Sequence, residues 1–407
     1  MIAFVKKNYF DFLAFIFVVS VSFSKAVPNI ILGLLAASFI IISIKNKTKP
    51  QNPKHIKYVE FLFIYFLIIS FFYGTFQDNF SFFSKFVLII LIPVILINVK
   101  HHRIVLSFLS FTFIAVVMAL YKTIRYYLIF DELPFSDGII VNKLLIIERP
   151  YMGFICLVSA LLSLYLSSIT KGYKKYLIAL TVFFTFFIFI IVARLSLVTT
   201  FILAVIYVLF YLKTRLHFKL LLVAATVFFS VVATFSYKNI SNRITISDEK
   251  GRFYDPRIDV WNCVMEIAKG PDFNNFVGLK SFNQVRNSLN DCYKSKNQND
   301  FEKREWFVEK NFNTHNQFFD LFLATGIIGI LIFIAALLNL FLFVKNNFYF
   351  TSILVSLILF LFFENIFHRQ LGCYVTGIIL LLFNGSGLNL TKMGKTDVNT
   401  NFLKMES

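Results

Sequence analysis

A series of long apolar segments constrains this chain more than any other feature of its sequence. Segments of roughly 17–25 apolar residues match the hydrocarbon core of a bilayer, and about twelve can be marked along the chain. Hydrophobic residues make up 58% of the 407 residues and charged residues only 15%, so a soluble fold would expose more apolar surface than its polar side chains could cover. The sequence therefore predicts an all-α polytopic membrane protein. The predicted spans centre on residues 10–24, 30–44, 59–76, 86–99, 104–121, 151–168, 177–192, 196–212, 218–237, 318–344, 349–363 and 371–383.

The distribution of Lys and Arg predicts how these spans are oriented. Basic residues cluster in every second short connection, which assigns those connections and both termini to the cytoplasm. Residues 238–316 form the longest polar stretch and fall on the opposite side, which a long loop can reach regardless of its charge. We therefore expect nine spans in residues 1–237, one large periplasmic loop region with short helices in 238–316, three spans in 317–388 and a cytoplasmic tail in 389–407.

The net charge of +18 raises the alternative of a nucleic-acid-binding protein, since basic chains attract phosphates. The basic residues lie in short clusters between spans, however, and not in one basic domain. The positive-inside rule accounts for most of them. We therefore expect membrane lipids around the chain and no nucleic-acid partner.

One arginine is expected at the outer boundary of the membrane. A single helix over residues 176–212 would be about 55 Å long, too long for a core of about 30 Å. The stretch must therefore fold back near its midpoint, where Arg194 is its one charge between the two predicted spans. The arginine then faces protein or solvent; the alternative is that it extends to lipid headgroups from a helix end.

A second arginine opens a helix in the long loop. Asp255 followed by a proline predicts a helix start, and Gly270 predicts its end. Arg257 then lies in the first turn beside free backbone N–H groups, where a guanidinium can hold a phosphate or diphosphate bidentately. Trp261 follows Arg257 one helical turn later. A solvated surface arginine is the alternative for Arg257.

The tenth span begins with a histidine near its amino terminus. Thr314 and Gln317 have the spacing of a capping box, which predicts that His315 lies in the first helical turn. The imidazolium is disfavoured there, so a neutral imidazole could accept a proton; a structural histidine is the alternative. Deeper in the span, Gly326 and Gly329 leave room for close helix packing.

Polar residues also end the eleventh span on the outer side. Glu364 could neutralise Arg194 or Arg257. It could instead orient His315, or belong to a charge cluster in water. Asp320 lies about one turn below His315 and should face the interior of the helix bundle.

Four cysteines divide between spans and loop. Cys156 and Cys373 fall within spans and are expected to be inert core residues. Cys263 and Cys292 lie in the long outer loop, where they could pair in an oxidising periplasm or stay as free thiols. The sequence leaves both possibilities open.

Motifs of metal and nucleotide sites are missing from the sequence. It has no HExxH, no Cys/His quartet, no aspartates at DxD spacing and no phosphate-binding glycine pattern. We therefore expect that the protein uses neither a metal nor a cofactor. Its donor substrate would be activated by another enzyme beforehand.

Several of these motifs together resemble the O-antigen ligase/O-antigen polymerase family. The resemblance rests on Arg257-x-x-x-Trp261, on Gly278-Leu279 with Phe282 after it, and on His315-Asn316 followed nine residues later by Gly326-x-x-Gly329. It covers roughly residues 176–383. One departure is that residues 272–275 replace part of the usual glycine run before Phe282, which leaves the choice of acceptor open.

The resemblance implies a periplasmic, metal-independent, inverting glycosyltransferase of the bacterial inner membrane. Its donor would be a polyprenyl diphosphate-linked glycan, and lipid A–core or another glycan its acceptor. His315 would be the general base, and Arg257 and Arg194 would bind the diphosphate. The supporting residues would be Trp261, Asn316, Gly326, Gly329 and Glu364.

Ligation of O-antigen to lipid A–core is the leading hypothesis, and the alternative is polymerisation of lipid-linked repeats. A protein O-oligosaccharyltransferase is a third possibility, but such enzymes usually carry a further outer domain. A flippase or other transporter is the alternative from a different class. It would spread charges through many spans and show internal repeats, whereas here the charges at membrane depth cluster at one face.

Overall fold

The computed structural model describes residues 2–24, 26–45, 47, 52–131, 138–170, 172–211, 214–215, 217–219, 255–296, 301–310 and 312–387. These residues form an all-helical structure that divides into two compact units. Unit 1 comprises Met1–Ile104 and Asp255–Gly387, and unit 2 comprises Val105–Tyr254 and Leu388–Ser407.

Unit 1 contains two sets of long helices joined by the loop region. Its helices are α1 (Ile2–Ser20), α2 (Ala26–Lys45), α3 (Lys57–Phe72), α4 (Phe76–Ile95) and the first turn of α5 (His101–Phe130). Unit 2 contains the rest of α5 with α6 (Gly138–Leu144), α7 (Arg149–Ile169), α8 (Lys174–Ile190) and α9 (Arg194–Ile206). Unit 1 continues with α10 (Pro256–Lys269), α11 (Phe282–Lys296), α12 (Phe301–Lys310), α13 (Gln317–Val344), α14 (Phe348–Phe363) and α15 (Gln370–Phe383).

Seven of these helical segments are long and apolar enough to cross a membrane. They are Ala26–Lys45, Lys54–Phe72, Phe76–Ile95, His101–Phe130, Arg149–Ile169, Arg194–Tyr211 and Gln317–Val344. Shorter apolar helices cover Tyr9–Ser20, Phe348–Phe363 and Gln370–Phe383. A multi-pass helical membrane protein is thus supported, while the count of about twelve spans stays a prediction. The predicted ninth span from residue 220 onward and the tail 389–407 lie outside the described residues.

Two helices extend further than their predicted spans. The turn between the third and fourth spans is confined to three residues around Gly74 (φ +67°), and α4 begins at Phe76 and not ten residues later. Helix α5 runs to Phe130, past the predicted end of the span at residue 121, because residues 122–130 contain no glycine or proline that would end a helix. Both helices therefore extend beyond the apolar stretch that marked them.

A disulfide holds the helices of the loop region together. Cys263 on α10 is bonded to Cys292 on α11, which decides between the two possibilities left open by the sequence. Because both sulfurs are in the disulfide, neither is a thiolate ligand. Cys156 and Cys373 are free and buried, as predicted. Near the disulfide, the hydroxyl of Tyr293 donates to the carbonyl oxygen of Phe312 (3.2 Å), so α11 also fixes the chain leading to α13.

Helix α13 bends within its apolar sequence. Gly326 has φ 67° and ψ −164°, which interrupts the helical backbone about one third of the way along. The loop at residues 275–280 supplies hydrogen bonds across the bend: Leu279 N to Leu323 O (2.7 Å), Lys280 N to Ala324 O (2.9 Å) and Ile327 N to Asn275 O (2.9 Å). The interrupted backbone is thereby satisfied inside the protein, as a membrane protein requires.

Two glycines make this contact possible. A Cβ on Gly326 would lie 2.3 Å from the carbonyl carbon of Phe276, and one on Gly278 (φ +66°) would lie 2.5 Å from Leu323 O. Gly326 therefore makes room for a loop and not for a neighbouring helix, which corrects the prediction. Gly329 does face a helix, since its Cβ would lie 3.3 Å from Tyr65 of α3.

Candidate functional site

Arg257 is placed by local sequence as expected. Asp255 is the N-cap of α10, and its Oδ1 accepts a hydrogen bond from the backbone N–H of Arg257 (3.0 Å). The guanidinium lies 3.7 Å from Asp255 Oδ2, 3.8 Å from Glu364 Oε1 and 5.8 Å from the ring centre of Phe363. These carboxylate distances exceed those of hydrogen bonds. The buried Nε of Arg257 has no hydrogen-bond partner among the described residues. The arginine is thus neutralised in part while its donors stay available.

The cap of α13 differs from the predicted one. Asn316 is the N-cap, and its Oδ1 accepts from the amides of Phe318 (2.9 Å) and Phe319 (3.1 Å). The predicted cap at Thr314 is wrong, and His315 lies before the helix and not in its first turn. Asn is at least as good an N-cap as Thr, and here Thr314 is used elsewhere.

Thr314 is fully buried and connects three segments. Its hydroxyl contacts the side-chain amide of Asn365 (2.8 Å), in the connection after α14. The indole N–H of Trp261 on α10 donates to the backbone oxygen of Thr314 (3.1 Å). Trp261 therefore ties the helix that carries Arg257 to the segment that carries His315, which gives this supporting residue a physical role.

His315 sits in a strained and half-buried position. Its φ is 45°, and its backbone N–H donates to Asn313 Oδ1 (3.0 Å). Its Nδ1 is buried and has no hydrogen-bond partner among the described residues. A non-glycine residue at positive φ costs about 1–3 kcal/mol and is found mainly where the surroundings fix it. The backbone thus holds the imidazole in one place.

The electrostatic surroundings keep His315 uncharged. Burial lowers the pKa of its imidazole to about 4, with further lowering by the charges of Arg257 and Arg369 and a smaller opposing effect of Asp255. At neutral pH the ring is therefore a neutral imidazole with a free acceptor capacity. The same charges show that Arg257 and His315 share one electrostatic environment.

Glu364 ends α14 and is buried beside this pair. Its side chain is 10% exposed and forms the ion pair with Arg257 described above. Arg257 is one of the partners that the sequence suggested for Glu364. Burial makes the pairing matter more than it would on an exposed surface.

A buried carboxylate–imidazole pair was missed by sequence reasoning. Asp320, 5% exposed, lies 2.6 Å through Oδ2 from Nε2 of His368. Gln317 adjoins the pair, with Oε1 accepting from Phe367 N (3.0 Å). The sequence placed Asp320 near the outer end of its span, but His368 is 48 positions away and no local pattern pairs the two residues.

Arg194 begins α9 in unit 2. The stretch does fold back as predicted, with α8 ending at Ile190 and Val192 at φ +50° in the turn. The turn packs on α7, because a Cβ on Gly153 would lie 2.4 Å from Cβ of Ala193. The diphosphate role of Arg194 stays a prediction.

The fold and site together define a class: a multi-pass helical membrane protein with a cationic, histidine-containing polar site built on its loop region. Residues 179–334 match the family model described as O-Antigen ligase. The match confirms the resemblance seen in the motifs and implies, in broad terms, a glycan-transferring enzyme with lipid-linked glycan substrates. No match to a curated protein was found. The matched region includes Arg194, Arg257, Trp261, His315, Asn316, Gly326 and Gly329.

Proposed function

We propose that this protein is an O-antigen ligase-like glycosyltransferase. It moves a glycan from polyprenyl diphosphate to lipid A–core at the periplasmic face of a bacterial inner membrane, without a metal and with inversion at the anomeric carbon. The observation that carries the proposal is the half-buried imidazole of His315, whose Nδ1 is buried without a hydrogen-bond partner among the described residues, in the field of Arg257. A proton acceptor and an anion-binding guanidinium are what this reaction needs in one place.

Arg257 acts on the leaving group. As the bond between the anomeric carbon and the diphosphate oxygen breaks, negative charge grows on the diphosphate. A guanidinium already in place stabilises that charge more than it stabilises the bound donor. Glu364 keeps the arginine oriented without a short hydrogen bond, since the two groups are 3.8 Å apart. Arg194 contributes a second positive charge in this proposal.

His315 acts on the acceptor. Its neutral ring takes the proton of the acceptor hydroxyl while that oxygen attacks the anomeric carbon from the face opposite the diphosphate. A pKa of about 4 makes the free imidazole a weak base. The bound diphosphate would offset the charges of Arg257 and Arg369, so donor binding raises the pKa of His315 and makes it a better base. Proton transfer is thereby linked to occupation of the donor site.

Two features support a periplasmic site. Disulfides such as Cys263–Cys292 persist in oxidising compartments. Helix α13 has 28 residues and a length of about 42 Å, more than the roughly 30 Å of a bilayer core. Its first part, bound to loop 275–280 up to the bend, would therefore project beyond the hydrocarbon together with His315 and Asp320.

Polymerisation of lipid-linked repeats would use the same chemistry on another acceptor. The test is to incubate the purified protein with polyprenyl diphosphate-linked glycan and either lipid A–core or a second lipid-linked glycan. The proposal expects product on lipid A–core. Elongated lipid-linked chains alone would make the protein a polymerase, and unchanged substrates moved across the bilayer would make it a transporter. Activity that survives a chelator is also expected.

A further inference from the structure

A polar cavity of about 530 Å³ lies in unit 1 between the amino-terminal ends of α4 and α11. Cavities that hold small molecules have volumes of roughly 300–1,000 Å³. The side chains that matter for its chemistry are Thr75, Asp78, Asn283, Gln284, Arg286 and Asn287. None of the sequence motifs or site residues described above belongs to it.

The walls of this cavity are fixed by hydrogen bonds between distant parts of the chain. The hydroxyl of Thr75 donates to the backbone oxygen of Lys280 (2.8 Å), and Asn283 Nδ2 donates to the backbone oxygen of Asp78 (3.0 Å). Asn79 Oδ1, buried beneath, accepts from the backbone N–H of Phe282 (2.9 Å). The cavity is therefore a preformed feature of the fold.

We propose that this cavity binds sugar units of the transferred or accepting glycan. Ligand sites are usually lined mainly by apolar groups, whereas every residue that lines this one is polar. Amide, carboxylate and guanidinium side chains offer donors and acceptors side by side. Neighbouring hydroxyls of a saccharide present the same mixture, and an apolar ligand would leave these groups unpaired.

Aromatic contacts lead from the start of α11, beside the cavity, to the start of α13. Phe282, at the start of α11, stacks on Phe82 of α4 with ring centres 3.8 Å apart. Phe282 also contacts the ring of His368, with ring centres 5.3 Å apart, and His368 is hydrogen-bonded to Asp320 on α13. The helix that lines the cavity is thus linked through His368 to the start of α13, the helix that follows His315.

The inference rests on the proposed function only for the identity of the ligand as a glycan. Binding can therefore be measured apart from transfer. The probe is a lipid-free oligosaccharide mixture. It is released by mild acid hydrolysis from the surface polysaccharide of the bacterium that naturally contains this protein. Binding to the full-length protein in lipid nanodiscs is followed by saturation-transfer NMR and calorimetry.

The test variant is Gln284→Ala/Asn287→Ala, which removes two exposed cavity side chains and introduces good helix formers. The matched control is Asp291→Ala/Lys294→Ala, an exposed ion pair of the same helix outside the cavity, with net charge unchanged. We expect at least about tenfold weaker binding for the test variant, from the loss of two or more hydrogen bonds, and binding within about twofold of wild type for the control.

Transfer activity separates this inference from the proposed function. His315→Ala should bind the oligosaccharides as wild type does while transferring nothing. If the wild-type protein does not bind them, or the cavity variant binds them equally well, the cavity is not a glycan site even where transfer is seen. If binding behaves as expected but no glycan is transferred, the proposed function is wrong and the binding site stands.

Discussion

At the scale of single residues, the site depends on the way Arg257 and His315 share a charge environment. Burial lowers the pKa of the imidazole and the charge of the arginine lowers it further, while Asp255 and Glu364 hold the guanidinium. The same cation that helps to keep the histidine neutral is the group that would bind the diphosphate. Donor binding and base strength are therefore coupled through one side chain.

The guanidinium shape of Arg257 should matter as well as its charge. Arg257→Lys keeps the charge but loses the planar pair of donors that grips a diphosphate. We expect kcat/KM for transfer to fall by at least about tenfold, equivalent to about 1.4 kcal/mol. Arg125→Lys, an exposed position on α5, is the control. Near-normal turnover of the Arg257 variant would assign this arginine a surface role.

The pKa of His315 offers a test that needs no substrate. Burial is the largest cause of the low pKa of His315, and the positive charge of Arg257 lowers it further. Arg257→Gln should therefore raise this pKa part of the way from about 4 toward its ordinary value. Titration of labelled histidine by NMR measures this directly. The low-pH limb of kcat/KM should move to higher pH in parallel. An unchanged titration would show that the two side chains do not interact.

The Asp320–His368 pair should position the connection that carries Glu364. Asp320→Asn removes the charge at 2.6 Å from the imidazole while keeping the shape. A typical intramolecular hydrogen bond contributes about 0.5–1.5 kcal/mol, and its loss costs more where a buried partner is left unsatisfied. We expect a lower thermal midpoint and a raised KM for the donor. A double change with His368→Gln that recovers stability would confirm direct pairing, and additive losses would contradict it.

At the scale of elements, local sequence accounts for α10 and not for the start of α13. The Asp255 cap follows from three adjacent residues, so it could be predicted. Whether Thr314 or Asn316 caps α13 is decided by the bond between Thr314 and Asn365, 51 residues away. The Gly278–Gly326 contact is equally non-local: each glycine was visible in the sequence, but their facing each other was not.

The bend in α13 can be tested with a single methyl group. Gly326→Ala places Cβ 2.3 Å from the Phe276 carbonyl carbon at a φ of +67°. Backbone strain alone costs about 1–3 kcal/mol, so the thermal midpoint in detergent should fall by several degrees. Gly33→Ala is the matched control, since no atom lies within 4 Å of the added Cβ and alanine favours helix. Equal stability of both variants would argue against the loop contact.

At the scale of the whole molecule, orientation in the membrane is the main prediction that local structure leaves to experiment. Apolar helices established the multi-pass class, while the sides were assigned from charge alternation in the sequence, with the disulfide as further support. A membrane-impermeant thiol reagent applied to intact spheroplasts should label Asn287→Cys and leave Lys45→Cys unlabelled. The reverse pattern would put the cavity and His315 in the cytoplasm and end the periplasmic account.

The central claim is that His315 accepts the proton of the acceptor hydroxyl next to a cationic donor site. The most direct measurement compares donor binding with glycan transfer for wild type and His315→Ala in the same reconstituted membranes. General-base catalysis contributes about 10²–10⁴ in rate, so transfer by the variant should fall at least about a hundredfold while donor affinity stays within about threefold. Full transfer activity in His315→Ala would contradict the account.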